Sequence, residues 1–384
     1  MAARRNSARI RRAQGRNGVH DPNIWEIARI CESEASAAEF CRQHGLLPEV
    51  AQLAAQQGGP IRCWKPQCQG EVYDAPRNVT KPNGHIVEQA GFRCRSCRAY
   101  RSAKNGSQVL GNQANRGVGT FFARMEAVRD QPNVKLPLRK ILMFLYCHAN
   151  RYSQQQMLRA MRGEIGNAGA AITDWTNYVR EILSQARENA PPMGGNGEIV
   201  QIDESYCRGR RKNNQGRVLP GNNVGPARLN YGNAVDGPWV FGMVWKRQDG
   251  KRDLRMFVVQ QRNRQTLRPI VRREIEPGTE VHSDQWRAYA NLGTWSIDPA
   301  RPYTHRTVNH QQNFVNPGDG ANTQRIERMW RNLKKRFVKE MNCRRPNNAG
   351  SLQLYLDEEW FFTLHNETPF YSLLEEIARQ YPQQ

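Results

Sequence analysis

Hydrophobic positions follow two different periods along the chain, and the change falls at the Pro- and Gly-rich segment Pro191–Gly197. Before this segment, apolar residues recur at helical spacing, most clearly at Leu138, Ile141 and Leu145. Ser36 is the expected N-cap of an early helix. The helices predicted in this half are Ile24–Cys31, Ser36–His44, Leu136–Asn150, Ser153–Met161 and Ala171–Ala190.

After the break, short apolar runs rich in β-branched and aromatic residues predict strands that alternate with helices. The order is three strands, a helix, a strand, a helix, a strand and a helix, which is that of an RNase H-like α/β domain. A helix rich in aromatic residues closes the chain. The segments are Glu198–Ile202, Trp239–Lys246, Leu254–Gln260, Arg264–Ile275, Glu280–Ser283, Trp286–Leu292, Tyr303–Val308, Asn322–Val338 and Leu352–Leu364.

The net charge of the chain indicates which class of molecule it binds. The chain has 57 Lys and Arg against 35 Asp and Glu, a formal net charge of +22. The excess is concentrated in four blocks that contain one acid, Glu327. Such segregation is typical of a protein that binds a polyanion, and nucleic acid is the first candidate. The blocks are residues 1–20, 89–125, 208–228 and 325–339.

The sequence disfavours membrane and secreted proteins. No run of 18 apolar residues is present, so no membrane partner is expected, and the N-terminal residues lack the apolar stretch of a secretory signal. The nine cysteines are an odd number, which favours free thiols over a disulfide scaffold. The expected location is the nucleus of a eukaryotic host, or the nucleoid and cytoplasm of a prokaryotic one.

Four of the cysteines are spaced as a structural zinc site. Cys63 and Cys68 enclose four residues, and Cys94 and Cys97 enclose two. Two such knuckles suit one tetrahedral Zn(II) ion, which has a folding role. A redox CxxC motif is the alternative for the second pair, but it leaves the first pair unexplained. The other cysteines are interpreted as packing or functionally neutral residues: Cys31, Cys41, Cys147, Cys207 and Cys343.

Three acids are placed as metal-dependent phosphodiester chemistry requires. Asp203 and Asp284 end two predicted strands that are neighbours in an RNase H-like sheet, and Glu327 lies on the long helix. Two Mg(II) ions held by carboxylates clamp the attacking and leaving oxygens of such a reaction. Arg331 and Lys334 share the helix face of Glu327 and are expected to hold a phosphate. The structural alternative is that the aspartates cap turns and Glu327 forms an ordinary i,i+4 pair with Arg331.

Several motifs resemble DDE transposases of the Merlin superfamily and their bacterial insertion-sequence relatives. These are the cysteine knuckles, the strands QIDES and VHSDQWRAY, and the stretch from His310 to Phe337. The most specific is IE-x-x-W-x-x-x-K, which spans Ile326 to Lys334. The resemblance covers about residues 60–365. The first knuckle departs from it, with C-x4-C where C-x2-C is usual.

The resemblance implies a cut-and-paste DNA transposase. Asp203, Asp284 and Glu327 would form the catalytic triad and bind two Mg(II) or Mn(II) ions, beside one structural Zn(II). The partners would be double-stranded terminal inverted repeats and target DNA, engaged by a homodimer or larger assembly. The candidate DNA-binding residues are Arg95, Arg98, Arg208, Arg210, Arg211, Lys212, Arg331 and Lys334.

The expected organisation has six parts. They are a basic disordered arm (1–20), a short helical DNA-binding segment (21–58), a zinc ribbon (59–115), a helix-turn-helix-like block (116–193), an RNase H-like DDE domain (194–345) with a basic insertion (208–235), and a C-terminal helical segment (346–384).

Two other functions remain open from the sequence. One is a non-catalytic DNA-binding protein of transposase descent, which would bind end DNA without nicking it. The other is an RNase H-like nuclease, which would cleave without preference for the end sequence. Steep salt dependence is expected of all three and distinguishes none of them.

Overall fold

The computed structural model describes residues 20–80, 84, 86–106, 119–123, 125–126, 131–132, 136–162, 169–206, 209–210, 234–235, 238–309, 312–339 and 349–383. The chain divides into two compact units, Met1–Tyr178 with Glu367–Gln384, and Val179–Asn366. Apart from His20, the predicted basic arm lies outside the described residues.

The first unit contains six complete helices and the start of a seventh, counted over the described residues. Each helix predicted there from periodicity is present, with ends that differ by at most two residues. The chain also forms two helices that the pattern did not predict, α3 and α10. The bounds are α1 Ile24–Ile30, α2 Glu34–Gln43, α3 Val50–Gln57, α4 Leu138–Ala149, α5 Gln154–Ala160, α6 Gly169–Glu188, which continues into the second unit, and α10 Pro369–Gln380.

Ser33, and not Ser36, is the N-cap of α2, which corrects the prediction. The Ser33 hydroxyl accepts the backbone N–H of Ser36 at 3.0 Å. In return, the Ser36 hydroxyl accepts the backbone N–H of Ser33 at 3.1 Å. Two serines three residues apart form this reciprocal box, and the sequence pattern did not reveal which of them begins it.

One cation of the second basic block is buried in this unit. The Glu34 carboxylate accepts the backbone N–H groups of Leu138 at 2.8 Å and Arg139 at 3.2 Å, and so caps α4 from α2. Lys104, only 3% exposed, lies 3.9 Å from the same carboxylate. Its charge therefore balances a buried acid and does not contribute to a basic surface.

Short antiparallel strands surround the cysteine pairs. The order of the three-stranded sheet is β1–β4–β5, and β2 and β3 pair as a hairpin. A small ladder joins β6 and β7. The bounds are β1 Val72–Asp74, β2 Arg77–Thr80, β3 Ile86–Gln89, β4 Gly91–Cys94, β5 Tyr100–Ser102, β6 Met125–Glu126 and β7 Gln131–Pro132, with single 3-10 turns at Ala103–Asn105 and Phe121–Ala123.

The second unit is built on one mixed five-stranded sheet of order β13–β12–β9–β15–β16. The pairs β9–β12 and β12–β13 are antiparallel, whereas β9–β15 and β15–β16 are parallel. This arrangement, with helices against it, fits the RNase H-like α/β fold. The main strands are β9 Ile199–Tyr206, β12 Trp239–Lys246, β13 Arg252–Val259, β15 Glu280–Asp284 and β16 Thr304–Val308.

Two short ladders and three helices complete the second unit. The ladder β10–β11 pairs the two ends of the predicted basic insertion, whose interior, 211–233, lies outside the described residues. The helix expected near Trp286–Leu292 is replaced by two 3-10 turns, Arg287–Tyr289 and Leu292–Trp295. The remaining elements are β8 Met193–Gly194, β10 Gly209–Arg210, β11 Ala234–Val235, β14 Ile275–Glu276, α7 Arg264–Glu274, α8 Gln324–Lys339 and α9 Ala349–Leu364.

Alternation along the strands produces a core on each face of the sheet. On β12, Phe241 and Met243 pack on one face with residues of α7. Val240 and Val244 pack on the other face with residues of α8 and α9. Because both faces are covered, the central strand β12 is apolar along most of its length.

The fourth basic block loses part of its charge within this unit. Arg336 of α8 lies 2.7 Å from the Glu358 carboxylate of α9 and also pairs with Glu359. Arg187 of α6 pairs with the buried Asp357 at 3.0 Å. Asp357, Glu358 and Glu359 of α9 therefore bind this helix to α6 and α8.

Candidate active site

The two aspartates predicted from the sequence lie on adjacent parallel strands. The register pairs Glu280 with Ile199 and His282 with Gln201. Carried two residues further, it sets Asp284 beside Asp203. Glu327 lies in the first turn of α8, the helix that packs on the same face of the sheet. The fold thus brings the three acids to one end of one sheet face.

The negative charges of the other two acids act on Asp203. Burial, with the negative charges of Asp284 and Glu327, raises the pKa of Asp203 to about 6. The backbone N–H of Glu204 and the indole of Trp330 act in the opposite direction. A buried carboxylate whose pKa is raised by neighbouring negative charges is stabilised by a bound cation, and carboxylates are the donors that a divalent ion such as Mg(II) prefers.

Trp330 orients the first aspartate. Its Nε1 donates to Asp203 Oδ2 at 3.0 Å, and its ring is 5% exposed. The ring lies over Gly242, the residue paired with Asp203 on β12. A Cβ on Gly242 would stand 2.5 Å from the Trp330 ring and 3.2 Å from Ile326 Cδ1. A glycine in the middle of this strand therefore allows α8 to approach Asp203 closely.

We expect Gly242→Ala to weaken the site through Trp330. The added methyl group forces the indole away from the sheet, at a cost of about 1–3 kcal/mol. The shift also breaks the hydrogen bond to Asp203, so binding of a divalent ion at the three acids should weaken more than the loss of stability alone explains. Thermal unfolding without and with Mn(II) measures the two effects. Gly318→Ala, whose Cβ meets only Asn316 Oδ1 at 3.4 Å, is the control, and equal behaviour of the two variants would contradict this role.

Two side chains fix the start of α8, and the sequence did not identify either of them. Gln201, 1% exposed, accepts the backbone N–H of Arg325 at 2.9 Å and donates to Asn322 Oδ1 at 2.9 Å. His282 Nδ1 accepts the backbone N–H of Asn322 at 3.3 Å. Each lies two residues before a candidate aspartate, on the same strand face. The strands that carry the aspartates therefore also set the position of Glu327.

Glu204 is a fourth acid near the site. Burial, with the charges of Asp203 and Asp284, raises its pKa to about 7, although the Tyr289 hydroxyl donates to it. Strand alternation directs it to the face opposite Asp203, where Tyr289 is buried. No spacing signal in the sequence indicated this pair, because Tyr289 is brought to Glu204 by the turn after β15.

The predicted DNA-binding cations near these acids are only partly described. Arg331 and Lys334 are exposed on α8, one and two turns beyond Glu327. Arg210 lies in β10. Arg208, Arg211 and Lys212 lie outside the described residues.

The four cysteines form one cluster in the first unit. The Sγ atoms of Cys63, Cys68, Cys94 and Cys97 all lie within 4.8 Å of one another. The Cys63–Cys97 and Cys68–Cys94 Sγ distances are both 3.6 Å. Tetrahedral Zn(II) with bonds of about 2.3 Å requires sulfur atoms about 3.8 Å apart. The longer first knuckle therefore does not prevent a zinc-like arrangement.

Backbone groups favour ionised sulfur most clearly at Cys94, whereas burial raises the pKa of Cys63 to about 12. The N–H groups of Lys65 and Cys97 each donate to the knuckle cysteine before them, Cys63 and Cys94, at 3.5 Å. Burial raises the pKa of Cys94, but the N–H groups of Cys97 and Ser96 and the neighbouring thiols lower it to about 6. A thiolate that accepts backbone N–H groups is a typical zinc ligand.

Two predicted DNA-binding arginines lie beside the cluster. Arg95 and Arg98 are exposed on the second knuckle, and the Arg95 guanidinium carbon lies 4.8 Å from the Tyr73 ring centre. Three of the remaining cysteines are buried away from the cluster, as predicted for packing residues: Cys31, Cys41 and Cys147. Cys207 and Cys343 lie outside the described residues.

Comparison with known protein families identifies the domain. Residues 195–359 match the family described as the ISXO2-like transposase domain. The chain carries a DDE transposase domain of the Merlin type. The matched segment of this transposase domain contains Asp203, Asp284 and Glu327, with the sheet and helices that position them. A comparison with curated proteins finds no match.

The domain gives the general class of function. A transposase domain acts on DNA and has the RNase H-like fold, which the mixed sheet and its helices fit. Transposases of the DDE type use divalent metal ions. Within the described part of the chain, no helix is both long and apolar enough to cross a membrane.

Proposed function

We propose that the protein is a cut-and-paste DNA transposase. It binds terminal inverted repeats, cleaves the ends of its element by hydrolysis, and joins the liberated 3′-OH ends to target DNA. The observation that carries this proposal is the meeting of Asp203, Asp284 and Glu327 at one end of the sheet within the matched domain. Neither a binding protein without catalysis nor a packing role requires three acids at one end of one sheet face.

Asp203, Asp284 and Glu327 are the residues that would hold two Mg(II) or Mn(II) ions. When bound, such ions activate a water or 3′-OH nucleophile and stabilise charge on the oxygens at phosphorus. The chain itself supplies orientation: Trp330 holds Asp203, Gln201 and His282 hold the start of α8, and Arg331 and Lys334 hold the DNA phosphate.

The first unit supplies DNA recognition in this proposal. The basic arm (1–20), the helices of 21–58, the zinc ribbon (59–115) with Arg95 and Arg98, and the helical block 116–193 bind the end repeats. One structural Zn(II) ion maintains the ribbon. Residues Arg208, Arg210, Arg211 and Lys212 of the basic insertion contact DNA beside the active site. Cutting and joining two ends together requires a homodimer or larger assembly.

Cleavage of defined duplexes tests the proposal. Purified protein is incubated in Mg(II) or Mn(II) with duplexes carrying the inverted repeats that border the gene, and with shuffled duplexes of equal composition. Cleavage at the repeat boundary that requires the metal and is absent from shuffled DNA is the expected result. Tight end binding without nicking in either metal would establish the non-catalytic alternative. Equal cleavage of both duplexes would establish the nuclease.

A further inference from the structure

An exposed tryptophan stands directly beside the second aspartate. Trp286 is 37% exposed, and its backbone N–H donates to Asp284 Oδ1 at 2.9 Å. Its indole Nε1 donates to the Arg262 carbonyl oxygen at 3.2 Å, which fixes the plane of the ring. A large apolar surface held rigidly next to a metal-binding carboxylate gains nothing for folding from that exposure.

A guanidinium group lies between this indole and a second one. The Arg262 Cζ atom is 4.1 Å from the Trp286 ring centre and 4.4 Å from the Trp239 ring centre. Trp239 in turn contacts the Tyr206 ring at 4.9 Å. Among the described residues, Arg262 forms no ion pair with a carboxylate. Its charge is held in place by aromatic rings and, although it also attracts the Glu204 carboxylate, it can contact an anion of the substrate.

The geometry points to a binding site for one unstacked nucleotide of the DNA substrate, beside the scissile phosphate. The base stacks on the exposed surface of Trp286, and its phosphate contacts Arg262. This inference rests on the proposed function, since it places the nucleotide on the strand that Asp284 serves. An unstacked base matches the site because it presents a flat apolar face and an adjoining negative charge, as the indole and guanidinium require.

Trp239 and Tyr206 lie on the side of Arg262 that faces away from Trp286. They are paired residues at the ends of β12 and β9, so their positions are fixed by the sheet. Arg262 precedes α7 and is held between the rings, and Trp286 follows β15. Elements from four parts of the second unit thus converge on the end of the sheet that carries Asp203 and Asp284.

The test combines protein variants with DNA that lacks single bases. The full-length protein cleaves end duplexes in which each base near the cleavage position is replaced in turn by an abasic tetrahydrofuran residue. The variants are Trp286→Ala, Trp286→Phe and Arg262→Gln. The matched control is Trp245→Ala, at the opposite end of β12, where Arg247 Cζ lies 5.6 Å from the ring centre. Thermal unfolding verifies that each variant is folded at the assay temperature.

We expect Trp286→Ala to slow cleavage of the intact duplex about ten-fold, as loss of one base–aromatic stack requires. Trp286→Phe should recover most of the rate, and Trp245→Ala should not change it. At one position, removing the base should slow cleavage by the wild type to a similar degree. On that abasic duplex, Trp286→Ala should cause no further decrease in the cleavage rate. If the rate decreases caused by Trp286→Ala and by base removal multiplied at every position, the inference would be overturned, because the indole would then act without contacting a base.

A second readout separates this inference from the proposed function. Absence of wild-type cleavage on every end duplex would count against the function and not against the site. 2-Aminopurine is therefore placed at each of the same positions. At one of them the wild type should quench its fluorescence by stacking, and Trp286→Ala should not. Equal fluorescence with both proteins at all positions would overturn the site.

Discussion

Replacement of Asp203 by asparagine is expected to abolish DNA cleavage and to stabilise the protein when no divalent metal is present. Asparagine retains a side-chain oxygen that accepts the Trp330 Nε1 hydrogen, so the position of α8 should be kept. It removes a charged ligand of the proposed metal site. Because such a site supplies several kcal/mol of transition-state stabilisation, cleavage should fall by about 10³-fold or more.

Asp203→Asn is expected to increase stability although it removes activity, and the reason is electrostatic. The pKa of Asp203 is raised to about 6 by burial and by Asp284 and Glu327. A carboxyl whose pKa is raised in the folded state stabilises folding at low pH, and this stabilisation is lost as the pH rises through 6. At pH 8 in EDTA the ionised wild-type group therefore opposes folding. Asparagine should raise the free energy of unfolding by on the order of 2 kcal/mol.

Thermal unfolding with and without metal measures this reversal. The wild type should melt at a higher temperature as Mg(II) or Mn(II) is added, because the metal binds only the folded state. Asp203→Asn should melt higher than the wild type in EDTA and gain little from metal. Asp249→Asn, at an exposed turn between β12 and β13, is the matched control. A cleavage rate near that of the wild type in Asp203→Asn would remove Asp203 from the active site.

Loss of the cysteine cluster should remove DNA-end recognition while leaving the second unit intact. Cys94→Ser replaces the buried Cys94 Sγ atom, which lies 3.6 Å from Cys68 Sγ and accepts the Cys97 N–H. Structural zinc contributes about 10 kcal/mol or more to the folding of comparable small sites. The strands β1 to β5 enclose only a small core, so they should unfold locally when the metal is lost.

Metal analysis, limited proteolysis and end binding test this expectation together. The wild type should contain one zinc ion per chain and Cys94→Ser none, with new cleavage by protease within 61–102. Affinity for the end repeat should fall at least about ten-fold, since the exposed Arg95 and Arg98 lose their fixed positions. Cys147→Ala, a buried cysteine outside the cluster, should keep zinc and end binding. A zinc-free wild type that binds ends normally would exclude the structural site.

The long, strongly periodic segments could be predicted from the sequence alone. Strand Trp239–Lys246 was predicted with the bounds observed. The apolar runs that lead to Asp203 and Asp284 also had to be strands, because they are too short and too β-branched for helices. Short elements were missed: the strands around the cysteines are three or four residues long, and so short a segment carries no measurable period.

Charge was the least reliable guide to position. The sequence assigned Lys104 and Arg336 to basic blocks with a common partner outside the protein. In the structure, Lys104 lies by Glu34 and Arg336 binds Glu358. Both acids are far from their partners in the sequence, so no local pattern relates them. Ion pairs between distant residues depend on which helices pack together, and only the tertiary structure decides that.

The sequence by itself determined the residue types and their order: four cysteines in two knuckles, and an aspartate, an aspartate and a glutamate on two strands and a helix. Local periodicity and spacing carry that information because each depends on neighbouring residues. The tertiary structure alone decided what surrounds these acids. Gly242 admits Trp330, Gln201 and His282 hold the start of α8, and Arg262 lies between two indoles. These contacts join residues from separate elements, and their cause is the packing of helices on a sheet, which no single segment encodes.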